Sequence, residues 1–264
     1  ELVLKLLLSG AGWAASSAYD EFIEFTYTDA TTQVFRGRGA GMSPSDIAVA
    51  EIVAIVAVDG HELVVQEDVD DVKDLIERDI LRMFASYFFI KSDGRISIGS
   101  HSVPSASVYD LDPTRTYRYE WNVSYEDLCN YLAIEYDWTP GAEEFLVQTF
   151  YLDATAGTTY GLKKREYAFK NTRNVYGVST LGVAALAVAV LRRFKNPYRT
   201  ITVTCGFYEM LLEIGDTVSL TNLNLPNVAT GTLGVHEKLW QIIGRQVDFR
   251  TGRVRLTLAD VSDM

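Results

Sequence analysis

The residues first in line for chemistry are few. The chain has three histidines, His61, His101 and His236, and two cysteines, Cys129 and Cys205. His61 follows the tight-turn pair Asp59-Gly60, His101 sits beside a linker and His236 falls in a polar loop. None has a Ser or Cys nucleophile in a recognisable setting, and neither a Gly-x-Ser-x-Gly elbow nor a His-Glu-x-x-His zinc helix is present. The cysteines lie far apart with no metal or redox spacing, which reads as two buried free thiols. Asp68-Val-Asp-Asp71 could suggest a calcium loop, but the EF-hand spacing and its closing Glu are missing. The acids read instead as favourable charge at the start of a helix. Gly39-x-Gly41 lacks the third glycine of a dinucleotide loop and the Gly-Lys-Ser/Thr of a P-loop. It reads as a turn into a helix, with Ser43 or Ser45 as N-cap and Pro44 at a tolerated early position. Carboxylates are plentiful, but nothing singles out an acid pair of the kind that cleaves glycosides. No catalytic, cofactor or metal residue is assigned, and the sequence is read as that of a non-enzyme.

The elements that would position any such residue follow from pattern. Residues 1–9 are apolar at helical and adjacent positions alike, far short of the about 20 residues a membrane span needs. They lack the basic start of a signal peptide. Since the chain starts at Glu1, the expectation is a buried helix inside a longer chain, with this sequence an internal or processed piece. Residues 47–58 form an apolar run that suits helix or strand equally. Residues 62–66 read as a strand, and residues 72–84 as a helix with Val72, Leu75, Ile76, Ile80, Met83 and Phe84 on one stripe. A hairpin follows, 87–90 and 95–99, closed by Asp93-Gly94. After the polar stretch around Pro104 and Pro113, strands are expected at 117–123, 128–136, 144–152 and 167–171, with residues 154–159 mobile. An alanine-rich helix spans residues 180–194, with Arg192 and Arg193 placed to complement its C-terminal dipole. Strands at 200–207, 217–221, 238–247 and 253–258 complete the chain, with a polar loop from Asn222 to Gly234 between the second and third.

Composition bounds the function. Hydrophobic residues make up 48% and charged residues 22%, a globular balance. The net charge of −11 argues against a non-specific nucleic-acid binder or an anchor on anionic membrane, both of which need a basic face.

The order of elements carries more than any single motif. Leu6-Leu-Leu-Ser9, Tyr19-Asp20 and Gly39-Ala-Gly-Met-Ser-Pro-Ser-Asp-Ile47 stand at the start, and the Asp93-Gly-Arg-Ile-Ser97 hairpin follows. Asn130-Tyr-Leu-Ala-Ile-Glu-Tyr136 opens a strand. The helix then leads through Asn196-Pro197, the Gly215-Asp216 turn and the closing Gly252-Arg-Val-Arg-Leu-Thr-Leu258. This series resembles the central tail hub proteins of long-tailed bacteriophages and prophages, relatives of the contractile-phage baseplate hub, and is least close from Tyr109 to Tyr160.

The resemblance implies an α+β fold: a small α+β hub module over residues 1–100, then a mostly antiparallel β-barrel or sandwich of tail-tube type over residues 101–264, flanked by helix 180–194. It implies a virion structural protein at the tail tip, assembled in the host cytoplasm. There it would close the tail tube as a homotrimer and contact the distal tail protein and the tip or receptor-binding proteins. DNA would pass through its lumen during genome ejection, without a cofactor or a membrane anchor. Some of the acids after Tyr117, namely Glu126, Asp127, Glu135, Asp137, Glu143 and Glu144, would face the channel or solvent. Two rivals stand beside this reading: a carbohydrate-binding module using Trp13, Trp121, Trp138 and Trp240, and a tail-associated peptidoglycan-cleaving enzyme.

Overall fold

The structure is a computed structural model of the 264-residue chain. It describes residues 26–28, 34–36, 44–48, 52, 61–63, 72–100, 106–111, 113–114, 116–174, 180–227 and 231–261. The expectations for residues 1–9, the Gly39-x-Gly41 turn, most of the 47–58 run, the Asp68–Asp71 acids, Trp13 and His101 lie outside them. Strand outweighs helix, 52% to 21%, and the fold is α+β with sandwich-like mixed sheets. Two compact units emerge: residues 1–100, 134–149 and 166–186, and residues 101–133, 150–165 and 187–264.

In the first unit, β1 (Thr26–Thr28) pairs with β2 (Val34–Arg36). A 3-10 turn, Pro44–Asp46, precedes Ile47, which bridges to Ile96 in parallel. β3 (His61–Leu63) pairs with β11 (Thr172–Asn174). α1 (Val72–Leu75) runs on as a π-helical segment, Ile76–Leu81, in place of the regular helix expected to residue 84. The Arg82 amide donates to the Glu77 carbonyl at 3.1 Å, five residues back. The wider turn brings Leu81 inside beside Ile76, Asp79 and Ile80, where α spacing would turn it away from their shared face. β4 (Ser86–Ile90) and β5 (Ile96–Ser100) form the expected hairpin, with Gly94 at φ +86° in its turn. Gly99 lies opposite Tyr87, and a Cβ there would meet the tyrosine ring at 2.5 Å, so the ring covers the glycine.

β6 (Tyr109–Leu111), β7 (Thr116–Ser124), β12 (Tyr198–Cys205), β13 (Thr217–Asn227), β14 (Thr232–Asp248) and β15 (Arg253–Asp260) make a six-stranded sheet in the second unit, in the order β6–β13–β14–β15–β12–β7. β6 joins β13 in parallel and the other pairs are antiparallel. Laid flat, the edge strands would stand roughly 24 Å apart at about 4.8 Å per strand. Residues 112–115, which join them, can span roughly 18 Å. The sheet therefore curls, although it does not close into a barrel. Its concave face holds one core: Ile201, Val203 and Cys205 of β12, Val254, Leu256 and Leu258 of β15, and Val218, Leu220, Trp240 and Ile242 of β13 and β14. Alternate residues of each strand supply it, the period that a half-buried sheet imposes. Trp121 meets Trp240 edge-on at 5.9 Å.

β8 (Tyr131–Thr139), β9 (Glu144–Leu152) and β10 (Lys164–Ala168) form a three-stranded sheet in the order β10–β8–β9. The stretch expected to be mobile is a helix, α2 (Ala154–Tyr160). The Asp153 carboxylate accepts from the Ala156 amide at 2.9 Å and caps it, a signal outweighed in the sequence by the lack of any apolar stripe. Asn130, the strand-opening residue of the sequence pattern, is buried. Its amide donates to the Gly161 carbonyl at 2.7 Å and accepts from the Lys163 amide at 2.8 Å, tying down the loop after α2. α3 (Thr180–Phe194) matches the expected helix, with Val183, Leu186, Ala187 and Val190 buried.

Candidate interaction surfaces

The segment expected to be a polar loop, Asn222 to Gly234, is instead a hairpin arm. β13 continues to Asn227 and β14 starts at Thr232, with Asn227 opposite Thr232 and Pro226 opposite Leu233. Register shifts on either side of Asn222 absorb the proline, which has no amide to donate to the ladder. Asn222-Leu-Asn-Leu225 alternates with period 2, a strand signal hidden by the Asn, Gly and Pro around it. Side chains pin the arm: Thr221 Oγ1 accepts from the Glu237 amide at 2.9 Å and Asn222 Oδ1 from the Asn224 amide at 2.8 Å. Leu225 and Val235 are buried, whereas Leu223 and Leu233 are 77% and 75% exposed.

β14 runs on from the arm to the far end of the same sheet. There Asp248 organises the turn into β15, accepting from the Arg250 and Thr251 amides and from the Thr251 hydroxyl at 2.7 Å. These bonds, led by the Thr251 hydroxyl, hold its carboxyl below the ordinary value of 3.8. Gly252 supplies the positive φ of +64°. The turn lifts Phe249 into solvent, with its ring edge-on to Phe207 at 6.5 Å. Phe207 opens the 3-10 turn Phe207–Leu211, from which Tyr208 and Leu211 project, and the Arg253 guanidinium lies 5.5 Å from the exposed Tyr117 ring. Beneath, Glu209 is buried and accepts from the Tyr109 hydroxyl at 3.2 Å. Phe207, Tyr208, Leu211, Phe249 and Tyr117 thus gather at one end of one sheet, an apolar patch with a basic rim.

The residues that could have done chemistry are not brought together. His236 is exposed beside Glu237, at 3.9 Å. His61 opens β3. Among the described residues no group of three or more His, Cys, Asp or Glu could hold a metal ion. Both cysteines are buried and free. Burial raises the Cys129 thiol, and burial together with the Glu209 charge pushes Cys205 up to about 12, so neither is a ready thiolate. Trp240 is fully buried and Trp121 half-buried against it, so two of the four tryptophans of the carbohydrate-binding rival offer no open platform. Glu126, Asp127, Glu143 and Glu144 are exposed, while Glu135 and Asp137 are half-buried. No described helix is long and apolar enough to cross a membrane.

No protein-family model matches the sequence, and no curated protein does. Solved structures resemble it. Among them are tail proteins. One is the tail protein from Neisseria meningitidis MC58, with a TM-score of 0.44, 13% identity, and 74% of this chain and 55% of that chain covered. Another is a chain of the virion of a native gene transfer agent particle, at 0.41, 16%, 69% and 37%. A third is prophage tail protein gp18 from Listeria monocytogenes EGD-e, at 0.40, 12%, 71% and 51%. The chain thus spans about half or less of the length of each of these proteins.

Proposed function

We propose that the chain is a structural module of a phage or prophage tail, placed at the tail-tip hub. One observation carries the reading. The series from α3 through β12, the Gly215-Asp216 turn and β13 to β15 builds a single curled sheet that offers an assembly feature at each end, a projecting arm and an aromatic patch. A subunit that joins a tube to tip proteins needs contacts at opposite ends. The module assembles as a homotrimer, contacts the distal tail protein with one end and tip or receptor-binding proteins with the other, and lines a passage for DNA. Its net charge of −11 suits a wall that does not hold phosphates.

Antibodies against the purified chain, applied to intact particles and viewed by electron microscopy, test the placement. Label confined to the tail tip is expected. Label spread along the tube, or absent from tails, overturns it. Sedimentation velocity of the chain alone checks the trimer separately.

A further inference from the structure

The aromatic end of the six-stranded sheet is held open by polar groups beneath it. Tyr208, Leu211 and Phe249 are 81%, 77% and 77% exposed, so these side chains stand clear of the surface and line no recess. The turn that carries the first two is fastened from inside. Glu209, between them in the chain, is 1% exposed, and Arg245 Nη2 donates to the Met210 carbonyl. Among the described residues Glu209 Oε2 and Arg245 Nε are buried without a hydrogen-bond partner, which is costly. The turn thus keeps its acid inside and its tyrosine and leucine outside, the reverse of what burial alone favours. Asp248 fixes Phe249 outward through three bonds within its own turn.

The chain has 24 basic residues against 35 acidic ones, but this end reverses the balance. Arg118, Arg250, Arg253 and Arg255 stand exposed around the patch, against Glu120 and Asp248. Glu120 is shared by Arg118 at 3.0 Å and Arg255 at 2.9 Å, and Asp248 is engaged in its turn, so the rim is net positive. Composition argues against contact with an anionic membrane for want of a basic face, and the fold assembles one here. We propose that this end docks on the surface of an anionic phospholipid bilayer. Phe207, Leu211 and Phe249 enter the boundary between headgroups and acyl chains, and the arginines meet the phosphates. Protruding apolar side chains suit a fluid surface that closes around them, whereas a protein partner needs a pocket matched to each. Tyr117 and Tyr208 have the apolar ring and polar tip that settle at such a boundary. Basic groups beside an apolar face add attraction to anionic lipid. Repulsion from the acids elsewhere in the chain is largely screened beyond about 8 Å at physiological salt. The contact is a separate property of this surface and stands whether or not the tail reading holds.

Co-sedimentation of the purified chain with phosphatidylcholine vesicles, with and without phosphatidylglycerol, tests it. Saturable binding is expected, tighter on the vesicles that contain phosphatidylglycerol. Leu211→Ser should weaken it about tenfold, the effect of withdrawing one leucine side chain from an apolar environment. Arg250→Gln should weaken binding to the phosphatidylglycerol vesicles about fivefold and leave binding to the others unchanged. Leu162→Ser, also exposed but outside the patch, should bind as the parent does. All three positions are exposed, so folding is not at stake. No binding to either vesicle overturns the proposal, and so does binding that is equal on the two. A loss in Leu162→Ser as large as that in Leu211→Ser overturns it as well, by showing that any exposed leucine suffices. Self-association that Leu211→Ser abolishes, in a chain that ignores vesicles, also overturns it by assigning the patch to a second copy.

Discussion

Asp79 in the first unit and Asp260 in the second are buried carboxylates housed in opposite ways. Asp79, inside the π-helical segment, accepts from the buried amide of Asn171 at 3.0 Å and meets the exposed Arg78 guanidinium at 3.3 Å. Its surroundings are one neutral donor and one solvated cation. Asp260 sits among buried cations, with Lys238 and Arg199 in contact and Arg193 nearby. At Asp79 the carboxylate is the guest and neutral groups accommodate it. At Asp260 the carboxylate is itself a charged partner of two buried cations. The same side chain should therefore be worth very different amounts at the two places.

A carboxylate with no partner sets the upper end of that scale. Leu186 is buried on α3. Leu186→Asp should cost on the order of 5 kcal/mol, from lost apolar burial plus an uncompensated charge. Urea denaturation at pH 7 measures it, and a variant that unfolds at the parent's midpoint would show that this face of the helix meets solvent. Asp260→Asn comes next. It removes the carboxylate that Lys238 and Arg199 contact, and should cost about 3–5 kcal/mol, the range for breaking a buried pair. A loss below about 1 kcal/mol, the scale of an exposed pair, would mean that solvent reaches the cluster.

Asp79→Asn should be milder. The substituted amide oxygen can still accept from Asn171, so only the charged component of that bond and the contact with exposed Arg78 are lost. About 1–2 kcal/mol is expected, since hydrogen bonds to charged groups are worth somewhat more than neutral ones. Equal losses for the Asp79 and Asp260 variants, measured by the same urea titration, would erase the contrast between the two sites.

How much of this was legible depended on what each signal competed with. Asp93-Gly94 fixed the β4–β5 hairpin because few other conformations suit that pair, and alternation of apolar and polar residues marked β7 and β15. The helix at 180–194 was plain from composition and spacing. Arg192 and Arg193 were equally visible, but adjacent arginines in a last helical turn read as solvated dipole partners. Nothing local says that one of them turns inward to Gln241, 48 residues away. The hairpin arm was masked by its proline, whose missing amide is absorbed by register shifts that only the pairing of β13 with β14 reveals. The aromatic end was invisible for a different reason. Phe207, Tyr208 and Phe249 look like core residues in a strand-rich sequence, and it is the 3-10 turn and the Asp248 turn that present them outward.

A third carboxylate, far less buried, completes the scale. Asp153 caps α2 by accepting from the Ala156 amide at 2.9 Å, with Lys195 Nζ at 3.4 Å from its other oxygen. The Ala156 bond, followed by the Lys195 contact, outweighs desolvation and holds its carboxyl below the ordinary value of 3.8. Asp153→Ala should cost about 1 kcal/mol at pH 7, the usual worth of an N-cap. The sign of its pH dependence follows from the lowered pKa. The ionised cap contributes fully above the unfolded-state value near 4, and the contribution fades as pH falls through the lower folded-state value. Urea midpoints for parent and variant should therefore differ at pH 7 and converge as the pH drops below about 4. A gap that stays constant into acid would mean that the capping bond does not depend on the charge, and would remove Asp153 from the series that runs down from Asp260.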